Sequence, residues 1–331
     1  MKKSVALCTY NGEKFIEQQL ESIIDQTEMI DEIIICDDGS TDNTIQMVQH
    51  TLLDKNIDYK LVRNKTNLGF KKNFYQAISL CQGDIIFFCD QDDVWNKNKV
   101  KVMTDVFENN PNALLVFSNA SVTDAYLQPI DNLFSSLSFQ QDFMKNKEVQ
   151  VQRLLADNFV TGATSAIRKD LITLAKPYPK NWAHDYWFGV ISALYNGLFC
   201  VNDKLINYRQ HSNNTIGVDK GISISLLKRL FSKKKTKGNR DNLYAEIRLE
   251  QLEELIKFFD DKEDLSDLYP IILDNYNFWK KRESFSTQGI LKNSWIVLKD
   301  AMTKQQYKYR NTSKPILIDF VKGIALAHRD A

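Results

Sequence analysis

Short apolar runs alternate with helical periodicity through the first ninety residues, and each run stops on a polar cluster. Val5 to Cys8 ends in Thr9-Tyr10-Asn11-Gly12, and Ile33 to Cys36 ends in Asp37-Asp38-Gly39-Ser40. Lys60 to Arg63 is a third such run, and Ile85 to Cys89 leads into Asp90-Gln91-Asp92-Asp93. Between them, Glu13–Gln26, the stretch carrying Ile45, Val48 and Leu52, and Phe70–Leu80 place apolar residues at helical spacing. Strands alternating with helices of about 10–15 residues mean βαβ units and a parallel sheet covered on both faces. Such sheets bind ligands outside the carboxyl ends of their strands. The clusters at Thr9, Asp37 and Asp90 all fall there, and that placement locates a site.

Beyond residue 96 the pattern loosens. Val100–Phe107 and Glu148–Leu155 are predicted helical and Ala113–Ser118 a strand, while 126–145, rich in Ser, Asn, Gln and Phe, is predicted to be a mobile loop. Thr161–Ile167 is predicted to be a small-residue strand, Trp182–Tyr195 an amphipathic helix, and Leu198–Tyr208 a strand or hairpin. Ser40 or Thr41 is expected to cap the helix after the second strand. After Gly221 only helical periodicity and charge remain.

At 331 residues, with 43% hydrophobic and 26% charged residues, the chain is of ordinary globular composition and long enough for about two domains. The net charge of +1 provides no global field for nucleic acid, and none is expected as a partner. Apolar runs reach about five residues, far below the ~18 that span a bilayer. The N-terminal stretch lacks a signal-peptide core, so export by a standard signal is not expected. Five cysteines without a CxxC read as core residues of a reducing compartment, not as a zinc site or disulfide framework.

Two carboxylates one residue apart, as in Asp90-Gln91-Asp92, can hold a hard divalent cation that also grips a diphosphate. An acidic turn that merely caps a helix has the same spelling. Asp37 and Asp38 follow a buried-type strand and need partners. Asp185 sits where a helix dipole favours a carboxylate, either as a cap or as a general base. His211 follows a strand as a third ligand or a surface residue.

In this order, ALCTYNG, DDGSTD, Asn67-Leu68-Gly69 and DQDDVW resemble the motifs of family-2 inverting glycosyltransferases, which share the GT-A nucleotide-diphospho-sugar transferase fold. DQDDVW, Thr161-Gly162, His184-Asp185-Tyr186-Trp187 and Tyr208-Arg209-Gln210-His211 are most similar to the bacterial rhamnosyltransferase branch. The resemblance covers residues 1 to about 215 and implies two parts, a GT-A catalytic domain over 1–215 and a helical C-terminal region over 216–331. It implies donor binding by Cys8, Thr9, Tyr10, Asn11, Asp38, Asp90 and Gln91, with Asp38 on the pyrimidine and Asp90 near the ribose. It implies a Mg²⁺ or Mn²⁺ ion on Asp92 and His211, and Asp185 as the catalytic base. His184 replaces the first acid of the family's usual Glu-Asp pair. The implied donor is dTDP-L-rhamnose, or alternatively a UDP-sugar, and the implied acceptor a hydroxyl of a glycan or lipid-linked glycan.

Two other classes fit less well. A nucleotidyltransferase wants a Gly-rich basic loop after the first strand, and a dinucleotide enzyme wants G-x-G-x-x-G, whereas this turn reads TYNG. Residues 220–240 carry eight Lys/Arg and no acid, with Leu226, Leu227, Leu230 and Phe231 on one helical face. The segment suits either an anionic membrane surface or a solvated basic helix. Together with the cysteines and the lack of a span, it leads to the expectation of a cytoplasmic protein peripheral to the inner membrane face.

Overall fold

The computed structural model describes residues 1–211, 240–260, 262–284 and 290–302. They divide into two compact units. The first comprises Met1–Met144, Phe159–Lys176 and Ala183–Asp219, and the second Lys145–Asn158, Pro177–Trp182 and Lys220–Ala331. Two earlier segments, 145–158 and 177–182, thus group with the C-terminal helices in the second unit.

The first unit is built on a mixed nine-stranded sheet, counted among the described residues. Its strands are β1 Lys3–Thr9, β2 Glu32–Asp37, β3 Asp58–Arg63, β4 Ile85–Cys89, β5 Val94–Trp95, β6 Leu115–Thr123, β7 Pro129–Asn132, β8 Ser165–Arg168 and β9 Leu198–Arg209. They run in the order β3-β2-β1-β4-β8-β6-β9-β5, with β7 beside β6. β1 is parallel to β2 and to β4, with Thr9 opposite Asp37 and Leu7 opposite Cys89. Chain order therefore reverses direction between β1 and β4, where open α/β sheets form a crevice.

β1, β2 and β4 are apolar without alternation because helices α1 Ile16–Ile24, α2 Thr44–Leu52 and α3 Phe70–Leu80 belong to crossovers that cover a parallel sheet. α1 is shorter than its apolar pattern suggested, since the Gly12 carbonyl accepts from Phe15 and Ile16 in a preceding turn. Nor do Ser40 or Thr41 cap α2. Asp42 Oδ1 accepts from the Thr44 N–H at 3.0 Å, and Ser40 is drawn instead to Asp37. Further along come α4 Lys99–Asn109, α5 Leu133–Ser136, α7 Asp170–Leu174 and α8 His184–Leu194, with α6 Lys147–Ala156 in the second unit.

The stretch expected to be a loop, 126–145, is structured. It contains β7, α5 and a 3-10 turn at Gln141–Met144. Phe134, Phe139 and Phe143 are buried and join Phe117 and Phe159, with Phe139 5.6 Å from Phe117, 4.4 Å from Phe134 and 5.2 Å from Phe159. Polar residues between the phenylalanines hid this cluster, because its spacing is neither helical nor strand-like. At its tip Tyr126 is 84% exposed.

The second unit contains α6, α9 Arg240–Phe258, α10 Tyr269–Glu283 and α11 Ile290–Met302. Arg248 donates to the Leu155 carbonyl, and Trp182 Nε1 to the Gln251 carbonyl at 3.0 Å. A buried Arg282–Asp300 ion pair closes at 2.9 Å. The basic stretch singled out in the sequence lies, but for Arg240, outside the described residues. No described helix is long and apolar enough to cross a membrane.

Phe139→Ala should cost about 3 kcal/mol in denaturant unfolding by leaving a cavity among four rings. It should also expose 126–145 to limited proteolysis at concentrations that spare the wild type.

Candidate active site

The loops after β1, β2 and β4 are fastened to one another. Asp37 accepts from Thr9 Oγ1 at 2.9 Å, from the Ser40 N–H at 2.9 Å and from the Ser40 hydroxyl, so its carboxylate is used inside the fold. Asp38, placed on the pyrimidine by resemblance, is buried. Its oxygens accept from Asn64 Nδ2 at 3.0 Å and from the Leu68 and Gly69 N–H groups at 2.7 and 2.9 Å, which holds the 64–69 loop beside the second turn. Asn11 Oδ1 accepts from the Thr41 N–H and Asn11 N–H donates to Ser40 Oγ, both at 2.9 Å, tying the first turn to the second. Cys8 is nearly closed off within β1, opposite Cys36, and burial pushes its thiol pKa up. Tyr10 remains 48% exposed.

Gln91 works as a clamp. Its Oε1 accepts from the Tyr10 N–H at 2.8 Å and its Nε2 donates to the Tyr10 carbonyl at 3.0 Å, as a neighbouring peptide would. A Cβ on Gly12 would lie 2.2 Å from Gln91 Oε1, so the clamp requires glycine there. The resemblance implies donor binding by Gln91; in the structure its amide pairs with the Tyr10 backbone.

The acidic cluster emerges from β4. Burial first, then the charges of Asp92 and Asp185, push the Asp90 carboxyl up to about 7, with Lys99 opposing them. Asp93 is buried, accepts from the Arg209 N–H at 2.9 Å, and is raised well above the carboxylate range by burial and by Asp92 and Asp90. Asp92 Oδ2 and His211 Nε2 stand 2.9 Å apart, and the imidazole stacks on Phe15 at 4.6 Å. Arg209, which sequence reasoning did not single out, donates to the Asp92 carbonyl at 2.7 Å and lies 4.7 Å over the same phenylalanine. It joins residues from four stretches of chain, which no local pattern reveals. Among the described residues no three His, Cys, Asp or Glu side chains are grouped to hold an ion. Asp92 and His211 nevertheless converge as an oxygen and a nitrogen donor, and that pair fits a Mg²⁺ or Mn²⁺ ion whose other ligands come from substrate and water.

Asp185 lies in the first turn of α8 after Ala183, and its carboxylate is part-buried. Oδ2 accepts from the Gly162 N–H at 3.0 Å and Oδ1 from the Tyr186 N–H at 2.7 Å. His184 is 5% exposed and lies flat on Phe74 at 4.1 Å. Burial lowers its pKa against the opposing pull of Asp185, so it stays neutral at pH 7. The residue that replaces the acid of a Glu-Asp pair therefore carries no charge.

Since Asp90 holds its proton to about pH 7 and an unfolded carboxyl loses it near 4, the fold is stabilised below pH 4 and loses that contribution as pH rises to 7. Asp90→Asn should raise Tm at pH 8 by about 2–4 °C, corresponding to roughly 1–2 kcal/mol because Asp90 keeps a partly exposed edge. The two proteins should converge at pH 5 in differential scanning calorimetry.

Residues 4–173 match the family model described as Glycosyl transferase family 2. The dTDP-rhamnosyl transferase RfbG of Shigella flexneri is 31% identical over 233 residues, covering 64% of this chain and 74% of that protein. An uncharacterized glycosyltransferase of Haemophilus influenzae is 28% identical over 224 residues, covering 65% and 67%. Among solved structures, S. aureus TarS 1-349 in complex with UDP-GlcNAc superposes with TM-score 0.60 at 15% identity, covering 100% of this chain and 91% of that one. TarS with UDP gives 0.52 at 19%, covering 87% and 93%. The likeness to TarS makes the sheet and its helices a GT-A fold, and the match across the site loops makes the chain a member of glycosyl transferase family 2.

Proposed function

We propose that the chain transfers L-rhamnose from dTDP-L-rhamnose, with inversion, to a hydroxyl of a lipid-linked, growing cell-surface polysaccharide. The observation that carries the reading is a single carboxylate, Asp185, oriented by the Gly162 N–H, beside an acidic cluster suited to a cation and a diphosphate. The acceptor hydroxyl has a pKa far above 7, so Asp185 takes its proton as the new C–O bond forms at the sugar carbon. The old bond from that carbon to the phosphate oxygen breaks on the opposite face, and its electron pair leaves with the nucleoside diphosphate. One base facing one leaving group means a single displacement. A divalent cation, when bound, supplies positive charge to the departing diphosphate.

Each residue has a share in this scheme. Tyr10, exposed beside Thr9 and Asn11, offers its ring to the base, while Cys8 and Asp38 support that pocket from beneath. Asp90 lies near the ribose, Gln91 holds the crevice open, and Asp92 with His211 takes the cation. We assign this work to residues 1–215 and a supporting role to 216–331. The rhamnosyl assignment rests on DQDDVW, on HDYW and on the activity for which the Shigella relative is named.

Nucleoside diphosphate release from a panel of dTDP-L-rhamnose, UDP-glucose, UDP-GlcNAc and GDP-mannose tests the reading. dTDP-L-rhamnose should be turned over, and Asp185→Asn should lower turnover about 10²–10⁴-fold while donor affinity in calorimetry holds. EDTA should abolish donor binding, and equal affinity in EDTA removes the cation from the scheme. Turnover of a UDP-sugar alone removes rhamnose and keeps the family; near-wild-type turnover by Asp185→Asn removes the base.

The sequence of residues 220–240 supports a place on the inner face of the membrane, where a lipid-linked acceptor is found. Replacing Lys233, Lys234, Lys235 and Lys237 with Gln should weaken binding to anionic vesicles by up to ~4 kcal/mol at low salt. Equal co-sedimentation of both proteins with anionic and neutral vesicles overturns it.

A further inference from the structure

Lys99 is fully buried, although lysine is rarely so unless paired. It opens α4, ten residues after β4 ends. Burial lowers its pKa to about 8 against the opposing fields of Cys89, Asp93 and Asp90. Its ammonium lies 3.9 Å over the Trp95 ring. A cation serving only to offset the acids would do so best by pairing with one of them. Its hydrogen bond goes elsewhere, to the carbonyl of Ala163 at 2.7 Å.

Ala163 is the middle residue of a 3-10 turn, Gly162–Thr164. One end of that turn is tied locally, because the Thr161 carbonyl accepts from Thr164 Oγ1 at 2.9 Å and from Ser165 Oγ at 2.7 Å. Lys99 provides the long-range tie, from a helix sixty-four residues away. The N–H of Gly162, the neighbouring residue, donates to Asp185 Oδ2. The turn is closely packed there: a Cβ on Gly162 would lie 3.0 Å from His184 Nε2, which would have to give by a few tenths of an ångström, and 3.6 Å from Asp185 Oδ2. A continuous path thus runs from the acidic loop through Lys99, Ala163 and Gly162 to the carboxylate that takes the proton.

We propose that Lys99 is a positioning residue: by holding the Ala163 carbonyl it fixes the turn whose Gly162 N–H orients Asp185. The inference rests on Asp185 being the base. It assigns Lys99 an effect on turnover and little on donor binding. The Ala163 carbonyl would otherwise be a buried acceptor without its charged donor, and the turn would relax toward other partners. An error of about 1 Å in the aim of a base is enough to cost about 10²-fold in rate.

Lys99→Met keeps the length and packing of the side chain and removes the charge and the donor. In hydrogen–deuterium exchange the 161–166 segment should exchange about tenfold or more faster, while segments of β1 and β2 stay unchanged. With the donor that the wild type uses in the panel above, kcat should fall about 10–100-fold and donor KM by less than threefold either way. In single turnover, Lys99→Met on top of Asp185→Asn should add little, because a residue acting through another is not additive with it. Lys99→Gln, which keeps an amide donor one atom shorter, should recover part of both readouts, and it takes the place of the Met variant if that protein does not fold. Unchanged exchange at 161–166 overturns the proposal, as does a kcat loss that multiplies fully with that of Asp185→Asn. A wild type inert on every donor overturns the functional reading instead, and the exchange experiment still decides the role of Lys99.

Discussion

The parallel pairing of β1 with β2 on one side and β4 on the other sets everything near the site. With Thr9 opposite Asp37 and Leu7 opposite Cys89, three strands end at one edge within two residues of each other. Three turns separated by up to eighty residues of chain are then close enough to hydrogen-bond, and they do so through side chains: Asn11 to Thr41, Thr9 to Asp37, Gln91 to Tyr10. A slip of one register step would separate these partners while β1 stayed buried on both faces.

Much of this could be read along the chain because parallel strands buried on both faces are written as plain apolar runs. The polar residue that ends each run is then a site residue by position. Asp185 and His211 needed the resemblance, since a carboxylate in a first helical turn and a histidine after a strand have ordinary structural explanations. Lys99 and Arg209 were out of reach for a different reason. Each is defined by bonds to backbone carbonyls, Ala163 for one and Asp92 and Ala125 for the other, and a carbonyl has no letter in a sequence. The phenylalanines of 134–143 were misread because they pack by proximity to Phe117 and Phe159 and not by period.

The site gathers carboxylates more densely than it gathers cations. Asp90, Asp92, Asp93 and Asp185 lie close together, and burial with neighbouring charge raises the Asp90 carboxyl to about 7 and the Asp93 carboxyl well above the carboxylate range. Asp93 is quiet within the core, held by the Arg209 N–H, while Asp92 and His211 face each other at the rim. The buried histidine before Asp185 adds no charge to this balance.

By pairing with both the N–H and the carbonyl of Tyr10, the amide of Gln91 joins the end of β1 to the end of β4 as if they were one peptide. The backbone of Tyr10 is thereby held against the start of the acidic loop. Removing that amide would take away two hydrogen bonds between the first turn and the acidic loop at once.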